Sequence, residues 1–511
     1  MNGTLQIPVI GILVILAAYF TMLVLIAWWI SRNSENGSNN DFFIAGKQSP
    51  WYVVAYGMIG ASLSGVTFIS IPGVVGAGAT NQAFSYMQVV LGYLLGYVII
   101  AKVLLPLYYR LNLTSIYGYL EQRFGRSSYK TGAVLFLISR SIGSAFRLYL
   151  VVLVMDMLFK AGGWNIPFLV TAVVAVLLIW VYTQKSGLKI IVWTDTLQTT
   201  FMLLAVVFTI WFIISSLDFS SEGLMEKMEN KKLTQWLFFE NGWSDPNNFF
   251  KQFLGGMFIT IVMTGLDQDM MQKNLSCRNL ADAQKNMYTF SIVLVGVNFM
   301  FLLMGALLFL YMVEFNIELP MQIVEGKTKP VYDLVFPNLA MGHLPVYIGI
   351  VFIVGFVAAA YSTADSGLTA LTTSFCIDIL NVNPKEEGKA IVQKRRYAHI
   401  AMSALLCVLI YSFWLINDSS VINQLFIIAG YTYGPLLGLF VFGLFIPLGL
   451  KDRFVPIVCT VAPILTYLIN LNSATLLGGY KFGFELLIVN GLLTIIGLLI
   501  ISKSARHRQQ V

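Results

Sequence analysis

Charge is what this chain has least of. Only 11% of its 511 residues are Asp, Glu, Lys or Arg, against 57% that are hydrophobic. A water-soluble domain carries roughly a quarter charged residues, so a soluble globular protein is excluded. Histidine and cysteine are scarce as well. His343, His399 and His507 are far apart, and the four cysteines show neither metal-ligand spacing nor an extracellular pair. That pattern leaves no zinc site and predicts free thiols. No phosphate-binding loop, nucleophile elbow or dinucleotide fingerprint occurs, and nothing points to an enzyme. The short alternating strands of a membrane barrel are missing too.

What the chain has in abundance is continuous apolar runs near 20 residues, the length a helix needs to cross a bilayer. The first, 7–30, is too long for a signal-peptide core and lacks a clear cleavage site, so it reads as a retained helix. We count thirteen spans: 6–30, 51–78, 83–107, 131–159, 166–184, 190–216, 251–273, 286–313, 346–380, 397–417, 420–447, 454–471 and 484–502. Basic residues test the count. With the N-terminus outside, 21 of the 32 Lys and Arg fall in inner loops, Lys273 among them. Eight fall in outer loops, and Lys102, Arg140 and Arg147 lie within spans. That distribution follows the positive-inside rule. The net charge of +7 therefore reflects topology, and no nucleic-acid partner is needed. The loop 31–49 is a polar, Asn/Ser/Gly-rich linker. About nine residues follow the last span, leaving no room for a signalling domain.

The stretch 358–378 organises the rest. Ser362, Asp365, Ser366, Thr369, Thr372 and Thr373 recur at three- and four-residue spacing inside an apolar run, so one helix face is lined with oxygen. Hydroxyls in membrane helices often bond back to their own backbone. A carboxylate among them is costly in hydrocarbon, and it marks a functional site, here one for a cation. The second span carries Gly60, Gly65, Pro72 and Gly73 beside Ser62, Ser64 and Thr67. It reads either as an unwound segment with carbonyls free for a hard cation or as a packing face. Phe84 and Gln88 sit one turn apart and can read a polar solute or simply pack. Arg140 and Arg147, two turns apart, can pair with carboxylates, bind an anion or snorkel. Asp195 opens the sixth span. The seventh has Gly255, Gly256 and Gly265 followed by Asp267, and Gly430 to Pro435 in the eleventh marks a hinge or a plain kink. Two Gly-interrupted spans five spans apart must run in opposite directions. Spans two to six and seven to eleven then form two inverted five-helix units with a site between them.

Four stretches now add up to a family: Ser62-Leu-Ser-Gly-Val-Thr-Phe, Val192-Trp-Thr-Asp-Thr-Leu-Gln, Gln268-Asp-Met-Met-Gln-Lys and Ala359-Ala-Tyr-Ser-Thr-Ala-Asp-Ser. The chain resembles the sodium/solute symporters over about residues 1–450. The resemblance implies an all-α integral membrane protein with a LeuT-like five-plus-five inverted-repeat core. Its parts would be an N-terminal extra helix and linker (1–50), the first repeat (51–216), an extracellular loop (217–250), the second repeat (251–447) and two C-terminal helices with a short tail (448–511).

By resemblance, the family's common sodium site falls on the carbonyls of Gly60, Leu63 and Ala359 and the hydroxyls of Ser362 and Thr363. A second sodium, bound by some members, falls on Asp195, Ser362, Asp365 and Ser366. Asp365 departs from the hydroxyl usual there, so it could strengthen that site, bind a proton or pair with an arginine. Substrate positions most resemble those of bacterial sialic acid symporters: Ser62, Ser64 and Thr67, with Phe84 and Gln88. Their carboxylate-binding arginine has no unique match, an ungapped alignment landing on Gly143 between Arg140 and Arg147. Asp267 matches a sugar-contacting position of the galactose carriers. The implied activity is sodium-coupled import of a small polar solute (a sugar, a sugar acid or another carboxylate) at the plasma (inner) membrane, with the C-terminus cytoplasmic and no obligatory protein partner. Proton coupling through Asp365 or Asp195, and a sensor that binds without transporting, are the alternatives.

Overall fold

In hydrocarbon a backbone must satisfy its own polar groups, and helices do so within one segment. A computed structural model of the chain is accordingly almost all helix. It describes residues 8–32, 38–77, 82–185, 187–217, 223–239, 242–324, 327–384, 386, 388–416, 421–480 and 482–503. The start of the first span, parts of the linker 31–49 and of the loop 217–250, and the tail beyond 503 with His507 lie outside the described residues.

Eight described helices are long and apolar enough to cross a membrane, and two bent pairs bring the number to ten. Numbering only the long elements, α1 is Val9–Arg32. The first bent pair is α2 (Trp51–Ser62) with α3 (Gly65–Val74). Next come α4 (Tyr86–Arg110), α5 (Arg126–Ala161), α6 (Phe168–Thr183) and α7 (Gly187–Ser216). The second bent pair is α8 (Phe249–Gly265) with α9 (Gln268–Leu275). It is followed by α10 (Leu280–Glu314), α11 (Val346–Ile379) and α12 (Lys389–Ile416). The chain closes with α13 (Val421–Phe445), α14 (Val455–Leu471) and α15 (Leu486–Ile500). Three shorter apolar helices, α6, α15 and the Gly430–Phe445 part of α13, accompany the ten. The chain is a multi-pass, all-α membrane protein. Among the described residues its strands, which hydropathy does not foreshadow, are one small hairpin, Met321–Val324 with Lys327–Pro330, and one short antiparallel pair from distant segments, Gly449–Leu450 with Ser502–Lys503.

Burial sorts the helices. In the apolar windows of α5 and α11, 78% and 72% of residues are buried, against 28% in α1 and 22% in α12 and α14. Helices α5 and α11 are therefore central, while the others turn apolar side chains such as Trp29 and Ile416 outward, where lipid is as good a solvent as protein. Polar side chains tie the elements at their ends. Asp452 accepts from the amides of Ser127 and Ser128 at 2.8 Å, capping the start of α5 with a charge its dipole favours. Arg123 donates to the carbonyls of Gly443, in the last turn of α13, and of Ile446 and Leu448 just past its end.

The two bends, 60° and 63°, fall where glycine and polar residues meet. Between α2 and α3 the chain is extended at Ser64. Of the four helix breakers in the sequence, only Gly60 and Gly65 flank the break. Pro72 stays inside α3, near its end, where one lost backbone bond is tolerated. Helix α8 ends in a wider turn over Ile261–Gly265. The carbonyls freed there are taken by tyrosines: Tyr108 donates to Gly265 at 2.9 Å and Tyr117 to Leu266 at 3.0 Å. All four cysteines are free.

Helices α4 and α8 touch backbone to backbone. A Cβ added at Gly256 would land on the Val89 carbonyl, and one at Gly92 on the Phe253 carbonyl. We expect Gly256→Val and Gly92→Val each to lower stability by about 1–3 kcal/mol through overpacking, read as earlier thermal unfolding in detergent. An unchanged melting curve would refute the close crossing.

Candidate functional site

The break between α2 and α3 leaves backbone oxygen without donors. Leu63 N–H bonds Ile59 at 2.9 Å and Phe68 N–H bonds Ser64 at 3.0 Å. Among the described residues, nothing donates to the carbonyls of Gly60 or Leu63. The oxygen stripe of α11 faces this break. A Cβ on Gly60 would stand 3.2 Å from Ser362 Oγ, and Thr363 Oγ1 donates to Ala359 at 3.2 Å and to Ala61 at 3.4 Å. Ser362, Thr363, Asp365, Ser366, Thr369, Thr372 and Thr373 are all buried. Gly60 and Ser362 thus face each other across the junction, with Thr363 and Ala359 hydrogen-bonded beside them. Such oxygen is what a hard monovalent cation prefers. Among the described residues no cluster of His, Cys, Asp and Glu fit for a transition metal occurs.

Two ion pairs run from α9 into this junction. Asp267 caps α9 by accepting from the amides of Asp269 at 2.9 Å and Met270 at 3.4 Å, and it also accepts from Tyr433 at 2.7 Å. Arg140 of α5 lies 3.7 Å from Asp267 and pairs with Asp269, which also accepts from Ser366. One turn on, Lys273 donates to Asp195 at 2.7 Å, and Ser362 donates to the other oxygen of Asp195 at 2.7 Å. Lys273 and Asp195 are 2% and 1% exposed. Lys273, counted with the inner-loop cations on sequence, is therefore buried, because the bend at Asp267 turns α9 back into the protein. Asp365 accepts from Tyr182 at 2.7 Å and from the Ser366 amide at 2.5 Å. Among the described residues it has no cationic partner.

Beside the break is a cavity of about 90 Å³. Its polar lining includes Ser62, Ser64, Thr67, Tyr93, Arg140 and Arg147, and its apolar lining Val66, Ile71, Met263 and Leu294. Arg147 is only 8% exposed, yet it has no hydrogen-bond or ion-pair partner among the described residues, its Nε buried and unclaimed. Sequence spacing placed both arginines on one face of α5 and gave no means of choosing between them. The structure separates them: Arg140 is matched by two aspartates and Arg147 by none.

Three expected solute residues stand apart from this lining. Gln88 donates to the carbonyls of Ser85 at 3.2 Å and Asn247 at 2.8 Å and accepts from the Phe238 amide at 3.2 Å. Its amide holds the loop over α4, which spacing within one helix cannot reveal. Phe84 packs edge-on against Phe299, and Asp267 is occupied as the cap of α9. Lys273, Asp269, Tyr182 and Tyr433 were not singled out by sequence, although Asp269 and Lys273 sit in the Gln268-to-Lys273 stretch that carried the resemblance.

The family model described as the sodium:solute symporter family matches residues 42–448. The chain belongs to that family. This symporter is 24% identical to the sodium/sialic acid symporter of Aliivibrio fischeri, over 92% of its own length and 89% of the relative's. It is 26% identical to sodium-coupled monocarboxylate transporter 1 of Mus musculus, over 80% of its own length and 65% of that protein's. In fold it is similar to a Na+-coupled sialic acid symporter solved in a substrate-bound outward-open state. The TM-score is 0.78, with 20% identity and coverage of 97% and 99% of the two chains. The family is one of transporters rather than enzymes, and its coupling ion is sodium.

The pairing of Arg140 has a measurable consequence. Removing one partner of a buried pair leaves an uncompensated charge and costs about 3–5 kcal/mol. Arg140→Met should therefore unfold at markedly lower temperature than wild type, and adding Asp269→Asn should recover part of the loss. If Arg140→Met alone melts like wild type, the pair is not holding α9 to α5.

Proposed function

We propose that this symporter couples entry of a small organic anion to sodium by alternating access, with Arg147 as the anchor for the anion. The observation that carries the reading is Arg147 itself: a buried guanidinium, turned into a cavity, with no carboxylate of the protein beside it. A buried cation without a partner is expensive, and a carboxylate solute received in bidentate fashion offsets that cost. Ser62, Ser64 and Thr67 line the same space and can take hydroxyls or carbonyls of the solute. An anion anchor of this kind fits the mouse relative, which is named as a monocarboxylate transporter.

The frame of the proposal is thirteen spans with the N-terminus outside, the three shorter apolar helices joining the ten. The two bent pairs, five spans apart, would each open one inverted unit. Sodium would sit on the carbonyls of Gly60, Leu63 and Ala359 and the hydroxyls of Ser362 and Thr363. Bound there it fixes the α2–α3 break, which also carries Ser62 and Ser64 to the cavity. Ion and solute then favour each other reciprocally. A second reading, proton coupling, draws on Asp365, whose carboxylate has hydrogen-bond donors but no cation beside it.

The test is uptake of small carboxylates and matched uncharged solutes by proteoliposomes, under a sodium gradient or a pH gradient alone. Sodium-driven uptake of a carboxylate, abolished in Arg147→Gln and partly kept in Arg147→Lys, is expected; preference for an uncharged solute overturns the anchor. Ser362→Ala and Thr363→Ala should each raise the sodium needed for half-maximal uptake about tenfold, the worth of one ligand to a charge. Sodium dependence unchanged from wild type in both variants would sink the site, and uptake driven by a pH gradient without sodium would favour Asp365.

A further inference from the structure

We infer that Lys273 is a resident cation at Asp195, filling that pocket so that no second sodium enters it and one sodium moves in each cycle. Both oxygens of Asp195 are already engaged, one by the Lys273 ammonium and one by the Ser362 hydroxyl, each at 2.7 Å. Lysine and sodium carry the same charge, and two such charges held at one carboxylate repel each other. A sodium ion at Asp195 must therefore displace the ammonium.

The other carboxylates near the ammonium already have partners: Asp365 accepts from Tyr182 and from the Ser366 amide. Lys273 is flanked on α9 by Gln272, which is bonded to the Phe43 carbonyl and Thr373. On its other side Asn274 is bonded to Met270 and accepts from Asn286. The carboxylate one turn back, Asp269, is taken by Arg140 and Ser366. No water-exposed path opens either, with Lys273 2% exposed. The pair also positions the first sodium site. Because Ser362 spends its proton on Asp195, the lone pairs of its oxygen remain for an ion at Gly60. Lys273 thus substitutes for one ion and orients a ligand of the other.

The inference rests on the sodium site proposed above, and binding of radiolabelled sodium to the purified protein, without solute and with choline balancing ionic strength, separates the two. Wild type should bind one sodium per chain with a hyperbolic isotherm. Lys273→Met should double the bound sodium and make the isotherm sigmoidal, Lys273→Arg should stay at one, and Asp195→Asn with Lys273→Met should return to one. Two sodium ions on wild type, or one on folded Lys273→Met, overturns the inference. If Lys273→Met fails to fold, the wild-type count decides. Failure of the first site looks different: Thr363→Ala then leaves wild-type sodium binding unchanged, or no sodium binds at all.

Discussion

A charge buried in the middle of this protein is costly to leave without a partner, because neither lipid nor water can supply one cheaply. That constraint fixes helix α9. It carries Asp269 and Lys273, both buried, and each is answered from a different helix: Asp269 by Arg140 of α5 and Lys273 by Asp195 of α7. Both pairs then reach α11, through Ser366 and Ser362. A helix of only eight residues, bent by 63° from its neighbour, is held by three others through ionic hydrogen bonds, beside the buried apolar side chains of Met270, Met271 and Leu275.

The same arrangement gives coupling a physical route. The α2–α3 break owns the unclaimed carbonyls and also the serines that line the cavity, so whatever fixes the break orders both at once. The α11 stripe stands on the far side of that junction. Through Asp195 and Asp269 it is linked to the second bend, between α8 and α9, where Asp267 joins Tyr433 of α13. Both bent pairs are therefore tied to one helix face by short, directional contacts, so a shift at either bend is felt at the hydroxyls of Ser362 and Ser366.

Much of this was legible in the sequence where the signal is local. Three- and four-residue spacing exposed the α11 stripe, and glycines marked both bends. What escaped depended on contacts between distant segments. Lys273 ends an apolar run and reads as an interfacial cation until the bend at Asp267 folds it inward. Gln88 has the spacing of a solute ligand, but its amide is spent on Asn247 and Phe238, about 150 residues away. The choice between Arg140 and Arg147 was closed to the sequence because the deciding aspartates arrive from α9, while both arginines share one face of α5.

The contrast between those arginines also argues about selectivity. Two aspartates at the start of α9 pair with Arg140, and among the described residues neither forms an ion pair with Arg147, two turns further along α5. Keeping Arg147 unmatched costs stability in every state in which the cavity holds no anion. An uncharged solute of the same shape recovers none of that cost, however well it packs against Val66, Ile71 or Leu294. In the proposed cycle an anion recovers it on entering. In the proposed cycle, selection between solutes of equal size is therefore electrostatic, and it operates by penalty as much as by attraction: the wrong ligand leaves a buried charge unpaired.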